Sequence, residues 1–175
     1  MNAAHLHLLV NHLPVIGALF AMFLLAWAAL RRNSELTRAG LGLFVVAALA
    51  GLAAYYTGEP AEDLVERLPG VTKAVIHQHE ETAELATILL AGYGAFALGA
   101  LVYFWKRTKN IPRGFIVAAL LLGLIPAGAM ALTANQGGEI RHTEIRPASA
   151  NTVAMPESDA TTPPDDSPRR ESELP

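Results

Sequence analysis

Long apolar runs alternate with short polar ones along this chain. Residues 13–30, 39–58, 85–105 and 114–138 contain no Asp, Glu, Lys or Arg, and they are 18, 20, 21 and 25 residues long. About 20 helical residues cross a hydrocarbon core of about 30 Å. Peptide groups in lipid must bond within their own segment, so each run predicts a helix. Taken out to their flanking signals, the spans are about 9–30, 39–57, 83–105 and 114–134. The fold class is therefore all-α: an integral membrane, up-down four-helix bundle covering residues 1–146. The N-terminus lacks a basic leader region, so the first run reads as a retained span and not as a cleaved signal.

The polar stretches refine this plan. Leu64, Val65 and Leu68 form an apolar edge in an acidic segment, which predicts a short interfacial helix ended by Pro69 and Gly70. Thr72 is a suitable N-cap for a helix continuing through His77 and His79 into the third span. Pro14 either kinks the first span or occupies its first turn, and Pro126 predicts a kink in the fourth. Small residues recur every four positions at Ala91, Ala95 and Gly99, and again at Ala119, Gly123 and Ala127. Such rows let helices pack closely in lipid. From Pro147 the chain is polar and proline-rich, which predicts a disordered, outward-facing tail over 147–175.

Charge supplies an orientation. Segments 31–38 and 106–113 hold seven of the thirteen Lys and Arg residues but, of sixteen acids, only Glu35. The positive-inside rule puts both on the cytoplasmic side. Both termini and the 58–84 connection then face outward, into a periplasm if the membrane is a bacterial inner membrane. The chain has no cysteine, which rules out thiolate metal ligation, iron–sulfur ligation and a covalent c-type haem.

Six histidines remain as candidate chemistry: His5, His7, His12, His77, His79 and His142. All fall on the outward side, at the ends of three helices, where side chains of a bundle converge. Imidazole is the commonest protein metal ligand, and a polar group at a span boundary marks a candidate site. His12 continues into a stripe of Ile16, Leu19 and Phe23, and His79 lies above Ala83, Ala86 and Leu90. The first and third spans are diagonal in such a bundle, so His12 and His79 could ligate a haem b iron between them. A copper or zinc site built from His12, His79 and His142 competes with it, and His7 and His77 are further candidate metal ligands. A cofactor-free accessory subunit whose histidines are merely interfacial is the other reading. The Ala91/Ala95/Gly99 row argues for His77, rather than His79, facing inward; the carboxylate-free stripe below His79 argues the reverse.

Enzymatic motifs are absent. "HQHEE" has the wrong spacing for a zinc-protease helix, and neither a G-x-S-x-G nor a phosphate-binding glycine loop is present. No nucleophile–base pair is legible, and no basic face suits nucleic acid.

"VNHLPVIGALF", "YYTGEP", "HQHEE" and "NQGGEIRH" together resemble a bacterial family of four-span membrane proteins, domain of unknown function 2231. The resemblance covers about residues 5–146 and implies functional histidines at His12, His79 and His142. Related domains are fused to Rieske or cytochrome-type modules, which implies membrane electron transfer with a quinol or a periplasmic carrier, and with membrane protein partners. His5, His7 and His77 are additional to the family pattern.

Overall fold

The computed structural model describes residues 2–107 and 110–146. Its helices are α1 (Ala3–Val10), α2 (His12–Arg31), α3 (Ser34–Val65), α4 (Lys73–Arg107) and α5 (Arg113–Arg141), followed by a 3-10 turn at Thr143–Ile145. The helices α2 to α5 form a four-membered ring in which each packs on the next and α5 closes on α2, while α1 lies on α3. The protein is thus an all-α four-helix bundle, with α2 diagonal to α4 and α3 diagonal to α5. The proposed tail at 147–175 lies outside the described residues.

Local chemistry sets the helix ends. Asn2 caps α1, its Oδ1 accepting from the His5 amide at 2.9 Å. Pro14 lies in the first turn of α2, where its missing N–H leaves the Val10 carbonyl without a helical donor; α1 and α2 part at Asn11. Asn33 caps α3 by accepting from Glu35 N at 2.8 Å and Leu36 N at 2.9 Å. Ser34 Oγ accepts from Ile111 N at 2.9 Å, tying the two basic connections together. The Thr72 carbonyl opens α4 by accepting from Val75 N at 3.2 Å and Ile76 N at 3.3 Å.

One expected element is corrected. The interfacial helix around Leu64–Leu68 is not separate, because α3 runs unbroken through Pro60 to Val65. Pro60 forfeits a single backbone bond, and the adjacent Ala61 is buried against the bundle, which holds the helix together. At 32 and 35 residues, α3 and α4 are roughly 48 and 52 Å long, well beyond a 30 Å core. Their excess carries residues 59–65 and 73–84, so it projects at the end bearing the histidines.

The core is built from small residues. Ala18, Ala21, Leu25, Ala28, Leu41, Phe44, Ala86, Leu90, Ala97, Ile116 and Ala119 are fully buried. The row Ala119, Gly123 and Ala127 faces inward, whereas Ala95 and Gly99 are exposed and Gly99 has open space beside it. Of the two packing rows, then, only the one on α5 seals the bundle. Close approach is tightest at Gly94, where a Cβ would stand 2.5 Å from Ala48 Cβ. Tyr93 meets Phe44 edge-on with centroids 4.4 Å apart and donates its hydroxyl to the Ala119 carbonyl at 2.5 Å. Large apolar side chains such as Leu19, Phe20, Phe23, Leu49, Ile88, Leu121 and Ile125 cover the outside. A soluble protein would not expose so much apolar surface. Four helices are long and apolar enough to cross a membrane, and the lipid chains are the natural neighbours of that surface.

At the histidine end the chain closes with a clasp. Arg146 is buried, and it donates from Nε to the Glu139 carbonyl at 2.7 Å and from Nη2 to the carbonyls of Ile140 at 3.0 Å and Gly70 at 2.9 Å. It thereby caps the negative end of the α5 dipole and ties it to the α3–α4 connection.

Candidate functional site at the histidine end

The level of the site follows from the helix contacts below it. A Cβ on Gly123 would lie 2.9 Å from Met22 Sδ and 3.2 Å from both Phe44 Cζ and Tyr93 Oη, so these four helices meet at one height. Counting 1.5 Å per residue from there, His7, Asn11, Ala54, Thr57, His79, Thr133 and Gln136 all stand roughly 15–23 Å nearer the histidine end. They form a polar layer that closes an otherwise apolar bundle.

His7 and His79 anchor this layer in the same way. His7 donates from Nδ1 to the Ala54 carbonyl on α3 at 3.1 Å, with Thr57 Oγ1 at 3.2 Å. His79 donates from Nδ1 to the Thr133 carbonyl on α5 at 3.1 Å. A carbonyl can only accept, so Nδ1 carries the proton in each ring and the lone pair of the neutral imidazole sits on Nε2. This is the arrangement in which a histidine is oriented to ligate a metal. His7 stands on α1, which lies on α3, and His79 stands on α4, so the two rings come from separate helices at nearly the same height. Gly137 makes room for His79: a Cβ there would stand 3.1 Å from the ring's Cε1.

The other histidines point elsewhere. His12 is exposed and its Nδ1 returns to the Leu8 carbonyl of its own turn at 3.1 Å. Ile16, Leu19 and Phe23, the stripe below it, are 49%, 54% and 58% exposed, while Ala18, Ala21 and Leu25 are 0% exposed. The expected pairing of His12 with His79 is therefore corrected, because His12 stands on the outer face and His7 on the inner one. His77 is exposed, 3.5 Å from Glu81 on its own helix. His142 is exposed beside Glu144, with Nδ1 and Oε1 2.9 Å apart. Glu144 is held below the usual carboxylate range, first by its own backbone N–H and then by the His142 ring. His5 is exposed near the N-terminus. The expected copper or zinc triad of His12, His79 and His142 is not assembled, and no three His, Asp or Glu side chains gather as a metal site among the described residues.

Two polar atoms in the layer lack partners. Asn11 Oδ1 and Gln136 Oε1 are buried without a hydrogen-bond donor, and Gln136 as a whole is only 8% exposed. Gln136 carried no signal in the sequence, because it lies about 120° around α5 from Met130, off the inward row of Ala119, Gly123 and Ala127. Asn11 lies four residues after His7, on the same face.

This architecture defines a multi-pass all-α membrane bundle capped by a histidine-bearing polar layer. No family model, no curated protein and no solved structure matches the chain.

Proposed function

We propose that the protein is a membrane electron-transfer subunit that binds a b-type haem through Nε2 of His7 and His79. The observation that carries this reading is the shared geometry of the two rings: each Nδ1–H is spent on a backbone carbonyl, each Nε2 is unspent, and the rings, one on α1 and one on α4, stand at nearly the same height. The donor set suits the group. A haem iron needs only two protein ligands, whereas a copper or zinc ion needs a third that the layer does not provide. A haem bound there supplies a one-electron couple. The chain's own contribution is to fix both ring orientations through the Ala54 and Thr133 carbonyls, which also raises the basicity of the ligating nitrogens. By the positive-inside rule the layer lies on the outer side of a bacterial inner membrane, where a quinol or a periplasmic carrier would be the donor.

A cofactor-free accessory subunit is the second reading. It is favoured by the same two hydrogen bonds read as clamps, one joining α1 to α3 and the other α4 to α5. Absorption spectra of detergent-purified protein from haem-replete cells, oxidised and dithionite-reduced, separate the two. The haem reading expects a Soret band that shifts on reduction, is lost in His7→Ala and His79→Ala, and persists in His12→Ala. A preparation without that band leaves only the accessory role.

A further inference from the structure

The seam between the first span and α3 changes character at Pro14. Below it the two helices are pressed together: a Cβ on Gly17 would stand 3.1 Å from Ala47 Cβ, and one on Gly51 would stand 3.6 Å from Pro14 Cβ. Above it the seam loosens, and a Cβ on Gly58 would stand 3.8 Å from Cε1 of the His7 ring. No residue of α1 is buried, whereas α2, α3 and α5 each bury six or more. Leu6, Leu8 and Leu9 are exposed where α1 now lies, so lifting it uncovers little more apolar surface. Among the described residues, the only side-chain bonds from α1 to another helix are those of His7 to Ala54 and Thr57.

A proline break, a helix without buried residues and a single polar tie therefore coincide. Because Pro14 lacks an N–H, the Val10 carbonyl has no helical donor, and the span bends easily there. The seat beneath α1 is small and smooth: Ala54 and Ala61, seven residues apart on one stripe of α3, are both buried. Pro14 meets Gly51 and His7 meets Gly58, and three residues further out the same register sets Ala4 over Ala61. We propose that α1 is a strap hinged at Pro14, which closes on α3 and by closing brings His7 to the level of His79. His79 needs no such movement, since its ring is fixed within the bundle by Thr133 and Gly137. The strap itself does not depend on a cofactor. That a haem joins the two rings, and so holds the strap down, rests on the function proposed above.

The test exploits the lack of a native cysteine. In the full chain carrying Ala61→Cys, held in lipid nanodiscs, the closed strap shields the thiol, so its reaction with a water-soluble maleimide reports opening. Adding His7→Ala removes the tie and is expected to raise the rate about tenfold. Adding Pro14→Ala restores the missing helical bond and is expected to lower it about tenfold. Leu68→Cys, on the exposed turn beyond, should react at one rate in all three backgrounds, and a thermal melt shows that each protein is folded. A thiol at 61 that never reacts, that reacts as fast as the one at 68, or whose rate is unmoved by His7→Ala and Pro14→Ala in folded protein would overturn the hinge. The haem forms a separate arm: protein with a Soret band should react about tenfold or more slowly than the same protein freed of haem. A Soret band with unmoved rates removes the strap alone, and rates that move as expected without a band remove the haem alone.

Discussion

His7 and His12 are five residues apart in one span, yet one faces α3 and the other faces outward. The difference is a matter of helical phase. Leu25, Ala21, Ala18 and Pro14 are buried, and stepping up the helix at the same spacing reaches Asn11 and then His7. His12 falls on the Ile16, Leu19, Phe23 face instead. Gly137 carries a related constraint. Gly137→Ala should push the His79 ring off the Thr133 carbonyl and lower stability by about 1 kcal/mol, as overpacking does. A thermal melt with a histidine NMR spectrum would record both effects; unchanged ring resonances would count against that contact. At Glu144 the folded pKa is depressed, so its contribution is present above the ordinary carboxylate range and lost as pH falls through the lowered value. His142→Ala should raise that midpoint in an NMR titration, with the part due to the backbone N–H remaining.

The helices were legible from charge-free length alone, because lipid forces every backbone group into an intrahelical bond, while their ring order followed from the up-down bundle plan. Which face of each helix turns inward was less legible. In water the large apolar residues mark the core, but lipid is as apolar as leucine, and here close packing selects alanine and glycine for the inside. The stripe of Ile16, Leu19 and Phe23 therefore misled, and the stripe of Pro14, Ala18 and Ala21 held the answer. The same rule explains why spacing alone could not tell the inward α5 row from the outward Ala95 and Gly99. Pro60 hid the true length of α3, since a proline after an apolar run reads as a stop. Gly94 is the sharpest test of packing between elements. Gly94→Ala should destabilise the α3–α4 contact by about 1–3 kcal/mol in detergent unfolding, and Ala48→Gly in the same chain should recover most of the loss. Loss without rescue would mean that the clash lies elsewhere.

The whole molecule is asymmetric. One end is basic and tied by Ser34 and Ile111; the other projects beyond the spans and carries the histidines, the unpaired amide oxygens and Arg146. Orientation is testable because the chain has no native cysteine. Leu68→Cys should react with an impermeant maleimide in intact cells, whereas Glu35→Cys and Asn110→Cys should need permeabilised ones; the reverse pattern would invert the proposed topology. Arg146→Ala should speed amide exchange at 66–72 and 139–146 together, and Arg146→Lys should not repair it, since an ammonium lacks the fork that reaches three carbonyls.

That fork also governs how load enters the bundle. Arg146 works like the gland on a cable: tension arriving from residue 147 onward is shared between the end of α5 and the turn at Gly70 before it reaches any single helical turn. Whatever hauls on the C-terminal extension would then tilt this whole end as one piece instead of unravelling it.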